Sequence, residues 1–247
     1  MGLVRLAFRV AWIVALFLLC VPLHYLWKLF GAPSPWPRRF LGWVGRAAGM
    51  RVRVVGSARE RDVLFLANHL SWLDILVVAG ASGSAFVAKA EVARMPVVGW
   101  LASLNSTVFV ARTERTAVRG QADALRTALA SGQPVALFPE GTTDGGPVIL
   151  PFRASLLAAL YPPLPGVTVQ PVALDYGPAA HDLAWIGNET GLANVRKVLA
   201  RPGTAPVTLR FLAPVDPATA DRKALAAAAR AEIVEALGPS GGRADRL

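Results

Sequence analysis

Read for the spacing of its apolar positions, the chain changes character near residue 50. Before that point Leu3 to Phe30 is almost wholly apolar, with Arg5 and Arg9 at the front and His24 and Lys28 near the end. Such a run predicts a helix without a polar face. Its uncharged stretch, Val10 to Leu23, is fourteen residues, about 21 Å as a helix against a bilayer core of ~30 Å. Snorkelling of Arg9 and the aromatic residues at the end extend its reach, so a spanning helix and one embedded in a single leaflet both fit. No small-x-small cleavage site follows, which favours an anchor that is retained over a signal peptide. Gly31-Ala-Pro-Ser-Pro-Trp-Pro37 breaks the helix, because proline lacks the amide donor. An amphipathic helix is then expected from Arg38 to Ala48, with Phe40, Leu41, Trp43 and Val44 on one side and Arg38, Arg39 and Arg46 on the other. That apolar side suits a lipid surface and the flank of a folded domain equally well.

From Arg51 onward short apolar or β-branched runs alternate with helical spacing. Strands are expected at Val52 to Val55, Val63 to Ala67, Ala85 to Ala88, Thr107 to Ala111, Val135 to Phe138, Thr168 to Leu174 and Val207 to Leu212. Helices are expected at Ser71 to Ala79, Val97 to Leu104, Ala117 to Ser131, Arg153 to Leu160 and Ala218 to Leu237. The alternation predicts an α/β fold, a mixed and largely parallel sheet flanked by helices, preceded by the apolar two-helix motif. The divisions are thus an anchor at 1–49, one catalytic-sized domain at 50–237 and a Gly-rich polar tail at 238–247, expected to be disordered.

Composition narrows the partners. A chain of 247 residues with 54% hydrophobic residues, 17% charged residues and a mean hydropathy of +0.44 is expected to turn apolar surface toward lipid. The 26 Lys and Arg against 16 Asp and Glu give a net charge of +10, which suits an acidic lipid surface. Nucleic acid is not expected as a partner, since zinc-ligand spacing, an RNA-binding aromatic signature and a long basic arm are all missing. With Cys20 as the only cysteine, no intrachain disulfide and no thiolate metal site can form. No metal or cofactor is expected.

Three segments carry chemistry. Leu66-Ala-Asn-His-Leu-Ser-Trp-Leu-Asp74 puts a histidine and a carboxylate just past a strand end, where α/β sheets site reactive groups. In one continuous helix a separation of five residues would set the two side chains about 140° apart. If Ser71 caps a helix that begins after it, His69 lies in the preceding turn and can fold back to Asp74. An imidazole so held can take a hydroxyl proton at neutral pH; on these residues alone, a mere capping role for Asp74 stands level with that reading. Val135-Ala-Leu-Phe-Pro-Glu-Gly-Thr-Thr143 brings Glu140 and several backbone amides to a second strand end. Thr107-Val-Phe-Val-Ala-Arg112 ends a third in a guanidinium suited to a phosphate or carboxylate.

Together these segments resemble the 1-acylglycerol-3-phosphate O-acyltransferase family, the glycerolipid acyltransferases. The resemblance covers roughly residues 50 to 215 and four blocks in order: Asn68-His69 with Asp74, Phe109 with Arg112, Phe138-Pro139-Glu140-Gly141-Thr142, and Val169-Gln-Pro171-Val172. It implies a lysolipid acyltransferase working by direct attack, with no acyl-enzyme. His69 would deprotonate the acceptor hydroxyl, Asp74 would orient it, and acyl-CoA or acyl-carrier protein would be the co-substrate. By the same resemblance Arg112, Glu140 and Gly141 would hold the acceptor head group, joined by Asn68 and Thr142, and residues 3–48 would anchor the protein on the cytoplasmic face of the inner membrane.

The chain departs from the pattern at two places. Thr143 stands where phosphatidate-forming members usually carry arginine, and Ser106 replaces the glycine of the second block. Phosphatidate synthesis from 1-acylglycerol-3-phosphate is the first expectation for the acceptor. Acylation of lyso-ornithine lipid is the alternative, because the members that act on it resemble this Thr-rich version. Arg153 is a candidate for supplying the missing charge. Two readings of another class compete: a serine hydrolase using Ser71, although no Gly-x-Ser-x-Gly elbow is present, and a non-catalytic membrane adaptor.

Overall fold

A computed structural model describes residues 1–110 and 115–238, and the side chains of these except 89, 110 and 115–122. Among the described residues seven strands form one sheet: β1 (Met50–Val55), β2 (Val63–Ala67), β3 (Ala85–Lys89), β4 (Val108–Val110), β5 (Val135–Leu137), β6 (Thr168–Asp175) and β7 (Ala205–Phe211). Their order is β1-β7-β6-β2-β5-β3-β4. Only β6 with β7 is antiparallel; the other neighbours are parallel. The α/β class and the largely parallel mixed sheet are therefore as the sequence implies.

The central strand β2 is buried throughout, and its side chains alternate between two cores. Val63, Phe65 and Ala67 join one apolar cluster, while Leu64 and Leu66 join the other, as the two-residue period of a strand requires. The helices are α1 (Gly2–Lys28), α2 (Trp36–Ala47), α3 (Leu73–Ser82), α4 (Ala90–Ala93), α5 (Pro96–Leu104), α6 (Arg115–Ala130), α7 (Ala180–Leu183), α8 (Gly191–Ala200) and α9 (Arg222–Leu237). Residues of α1, α2, α3 and α8 cover the first core; residues of α6, α9 and a 3-10 helix at Ala154–Leu160 cover the second.

Several boundaries differ from the expectation for physical reasons. The third helix begins at Leu73, not Ser71, because the Asp74 carboxylate reaches back to the amides of Leu70 and Ser71 and itself closes the turn. Arg153 to Leu160 is a 3-10 segment starting at Ala154, and the last helix starts at Arg222, where the Asp221 carboxylate accepts the Lys223 and Ala224 amides. Helix α8 was not expected, although Thr190 caps it by accepting the Ala193 amide. Ala111, the end of one expected strand, and residues 239–247 of the tail lie outside the described residues.

Both N-terminal helices pack on the sheet domain. Helix α1 buries Leu16, Cys20 and His24, one face at four-residue spacing, and leaves Leu3, Phe8 and Leu18 exposed. It is long and apolar enough to cross a membrane, yet its start and middle are fastened to the domain. At the start Arg9 donates to the carbonyls of Val198, Leu199, Arg201 and Gly203, and Arg5 to that of Ala200, so the two guanidinium groups cap α8. In the middle Phe17 meets the edge of Trp100, and further on His24 bonds Ser34 of the following linker. Helix α2 crosses α3 where two glycines meet. A Cβ on Gly80 would fall 2.6 Å from the Cα of Gly42, closer than real atoms come, so only hydrogen fits there.

Candidate active site

The site is assembled at the C-terminal ends of β2, β5 and β6. Past the end of β2, Asn68 forms a two-way amide pairing with β6: its Nδ2 donates to the Leu174 carbonyl at 3.0 Å and its Oδ1 accepts the Leu174 amide at 2.8 Å. This fixes the peptide that carries His69. The His69 ring then turns back, and its Nδ1 donates to Oδ2 of Asp74 at 2.8 Å. The same Oδ2 accepts the Leu70 amide at 2.6 Å and the Ser71 amide at 2.9 Å, while Oδ1 accepts the Tyr176 hydroxyl at 2.5 Å. Asp74 is fully buried, and the His69 side chain is 18% exposed.

With four donors on two oxygens, the carboxylate has one orientation available, and it fixes the imidazole in the tautomer whose Nε2 carries a free lone pair. The ring is also clamped from its side, stacking on Phe138 at 4.1 Å between centroids, and Phe138 stacks in turn on Phe86. Capping by Asp74 and a base-orienting role for it are thus performed by one side chain at once. Ser71 is fully buried and its hydroxyl accepts the Leu73 amide, so it offers no exposed nucleophile; the hydrolase reading loses its residue.

Phe138-Pro139-Glu140-Gly141 is a β-turn closed by the Gly141 amide on the Phe138 carbonyl at 3.1 Å, with Gly141 at φ +71. Proline suits the second position of such a turn, and glycine its last. The turn sends Glu140 inward: its Oε1 accepts the His69 amide at 2.7 Å and its Oε2 the Leu150 amide at 2.8 Å, with 2% of the residue exposed. Both oxygens are thereby engaged by backbone, and Glu140 acts as a strut under the His69 loop. Arg230 secures the opposite side of that strut, donating to the carbonyls of Ile149 and Leu150.

Burial pushes the Glu140 carboxyl up to about 7 from 4.5, against the pull of its two amide donors. Between those values the unfolded chain has released this proton and the folded chain keeps it. Its contribution to stability is therefore complete below about pH 4.5 and lost as pH rises to about 7. Unfolding by denaturant at a series of pH values is expected to show wild type losing on the order of 3 kcal/mol relative to Glu140→Gln across that window. A difference that stays flat with pH would refute it.

Of the other expected residues, Thr142 donates its hydroxyl to Asp144 at 2.8 Å, and the second oxygen of Asp144 accepts the Gly187 amide at 3.1 Å. Arg153 has an exposed side chain, and its backbone amide donates to the Pro139 carbonyl. Arg112 lies outside the described residues. The residue that sequence reasoning missed is Tyr176. It is buried, its hydroxyl is held protonated well above the ordinary tyrosine range, chiefly by burial and then by the Asp74 charge. Its position just past β6, the strand beside β2, was the available signal.

On the flank covered by the N-terminal helices lies a cavity of about 480 Å³, walled almost entirely by carbon. Its lining comes from α1, α2, α3, β3, α4, α5 and α8, and includes Trp72, Ile75 and Phe86. Trp72 is three residues from His69, and Phe86 is joined to His69 through Phe138.

A histidine held at Nδ1 by a buried, fully bonded carboxylate is able to take a hydroxyl proton, and Trp72, three residues further on, lines an apolar cavity. The chain belongs to the Acyltransferase family, whose model matches residues 51–175. It is 35% identical over 246 residues to the lyso-ornithine lipid O-acyltransferase of Brucella abortus (strain 2308), covering 91% of each chain. It is 36% identical over 128 residues to the 1-acyl-sn-glycerol-3-phosphate acyltransferase of Neisseria gonorrhoeae, covering 52% of this chain and 49% of that one. The fold matches the crystal structure of the 1-acyl-sn-glycerophosphate acyltransferase PlsC from Thermotoga maritima with a TM-score of 0.70, at 22% identity, over 96% of this chain and 94% of that one.

Proposed function

We propose that this protein transfers a fatty acyl group from a thioester to the free hydroxyl of a lysolipid, with lyso-ornithine lipid as the acceptor. The observation that carries the reading is His69, held at Nδ1 by Asp74, three residues before Trp72 in the wall of an apolar cavity fit for a hydrocarbon chain. His69 Nε2 takes the acceptor's hydroxyl proton as the oxygen attacks the thioester carbonyl. The tetrahedral intermediate collapses, the carbon–sulfur bond breaks, and the imidazolium returns its proton to the departing thiolate. Asp74 stabilises the imidazolium between those two steps. Acyl-CoA or acyl-carrier protein supplies the thioester.

Two facts favour lyso-ornithine lipid over 1-acylglycerol-3-phosphate as acceptor, reversing the order expected from sequence. Relatives with that name match over most of their length, whereas the glycerophosphate relative matches over about half. Asp144 also follows Thr143 in the turn after Thr142, and a carboxylate there repels a phosphate dianion. Acceptor contacts fall to Arg112, Gly141, Thr142 and Arg153, while Asn68 and Glu140 hold the His69 loop. Since the front of α1 is tied to α8 through Arg5 and Arg9 and its middle meets Trp100 through Phe17, the helix lies within one leaflet, on the cytoplasmic face where the thioesters are found.

Membranes carrying the protein, given labelled acyl-CoA and a panel of lysolipids, are expected to yield product with lyso-ornithine lipid and none with 1-acylglycerol-3-phosphate. Product with the glycerophosphate alone would make phosphatidate synthesis the activity. No product with any lysolipid or either type of thioester would overturn acyl transfer itself.

A further inference from the structure

Strand β6 sorts its side chains by parity. Val172 and Leu174 face the first core, whereas Val169 and Ala173 face the second. The two-residue period therefore puts the Asp175 side chain on the second side, where Ile149 and Leu237 also stand. These three line one groove of about 30 Å³, and His69, Glu140 and Tyr176 line it with them. A recess of that volume has room for a water-sized group and none for a hydrocarbon chain. It suits the polar end of a substrate, within the space that the catalytic imidazole shares.

Of the ionisable side chains around this groove, three are already engaged. His69 is held by Asp74, Glu140 accepts two backbone amides, and Tyr176 donates to Asp74. Asp175 differs. Its Oδ1 accepts the Gly177 amide at 2.9 Å, but its Oδ2 lies 3.9 Å from a guanidinium nitrogen of Arg210, too far for a hydrogen bond. The side chain is 23% exposed, so the carboxylate can be reached. Among the described residues no lysine or arginine lines the groove, although Lys and Arg outnumber Asp and Glu by 26 to 16 in the chain. A groove with a carboxylate and no cation in its wall repels a phosphate and attracts a positively charged donor.

We propose that Asp175 binds the ammonium group of the acceptor and so helps to decide which lysolipid is acylated. The inference rests on the proposed function, in which the acceptor is lyso-ornithine lipid. Ornithine acylated on its α-amine keeps a terminal ammonium on three methylenes. That group brings three donors and a full positive charge, and Asp175 Oδ2 is an acceptor in the groove that His69 lines. A phosphate monoester brings only oxygens and negative charge, so the same carboxylate works against it. Arg210 is the resting partner, with its side chain 34% exposed. A loose, partly exposed pair of this kind contributes little, and an ammonium that replaces or joins it gives up little in return.

The test compares two acceptors that differ only in this charge. The full-length protein in vesicles receives a labelled acyl thioester, on CoA or on carrier protein, with either lyso-ornithine lipid or the same lipid acetylated on its free amine. Initial rates are taken over a range of acceptor concentrations. Wild type is expected to favour the free amine by about tenfold in kcat/KM, chiefly through KM, the scale of one charge-assisted hydrogen bond. Asp175→Asn and Asp175→Ser each keep an oxygen for the Gly177 amide, and both are expected to bring the ratio near one. A wild-type ratio near one overturns the subsite while acyl transfer to lyso-ornithine lipid stands. A preference that survives in the variants also overturns it, as does a loss equal for both acceptors, which marks a purely structural role. No product from either ornithine acceptor would instead refute the proposed acceptor, and the subsite with it.

Discussion

His69→Ala is expected to lower kcat/KM by about 10²–10⁴-fold, the range that a positioned general base supplies. The substitution removes the imidazole whose Nε2 lone pair is left free by the Nδ1 bond to Asp74. It leaves the Asn68 pairing with Leu174 and the Glu140 contact to the backbone amide of residue 69 intact. Stability should change little beyond the lost stacking on Phe138, so the loss belongs to the chemical step. Rates measured alongside a thermal melt would decide it. Activity above a tenth of wild type, with the fold intact, would remove His69 from the mechanism and favour a non-catalytic adaptor.

At Asp74 two substitutions should come apart. Asp74→Ala leaves the buried amides of Leu70 and Ser71 and the Tyr176 hydroxyl without their acceptor. Each such group costs roughly 1–3 kcal/mol, and the sum is a large fraction of the about 5–15 kcal/mol that holds a domain folded. This variant is expected to be inactive and poorly folded. Asp74→Asn can keep its carbonyl oxygen toward the amides and turn its NH₂ toward Tyr176, whose hydroxyl can accept. It should fold, yet lose about 10²–10⁴-fold in rate, because a neutral amide cannot stabilise the imidazolium. Comparing denaturation midpoints and rates for the pair would test this. Near-normal activity in Asp74→Asn would mean that the carboxylate serves the fold alone.

Legibility in the sequence followed the range of the interactions. The strands were legible because burial on both faces leaves short unbroken apolar runs, as in Val63 to Ala67. The dyad was legible because it is local: five residues and one turn connect His69 with Asp74. The start of α3 was misread for the same local reason, since serine is the commoner cap and a carboxylate reaching back from the first turn leaves no different signature. Glu140 looked like a ligand for substrate because its partner, the His69 amide, lies 71 residues away. Tyr176 is 102 residues from Asp74 and was invisible until sheet order put β6 beside β2. The cavity depends on how α1 and α2 lie against α3 and α5, a matter of packing that no spacing rule encodes.

The crossing of α2 over α3 has a further implication for changing this enzyme. Because Gly42 and Gly80 touch through bare backbone, and the same two helices both supply parts of the cavity wall, a single methyl at position 80 has to act as a spacer. It would pry the walls apart without introducing any new group to the lumen. Position 80 is therefore a place from which the bore of the cavity can be altered remotely, without substituting His69 or Asp74.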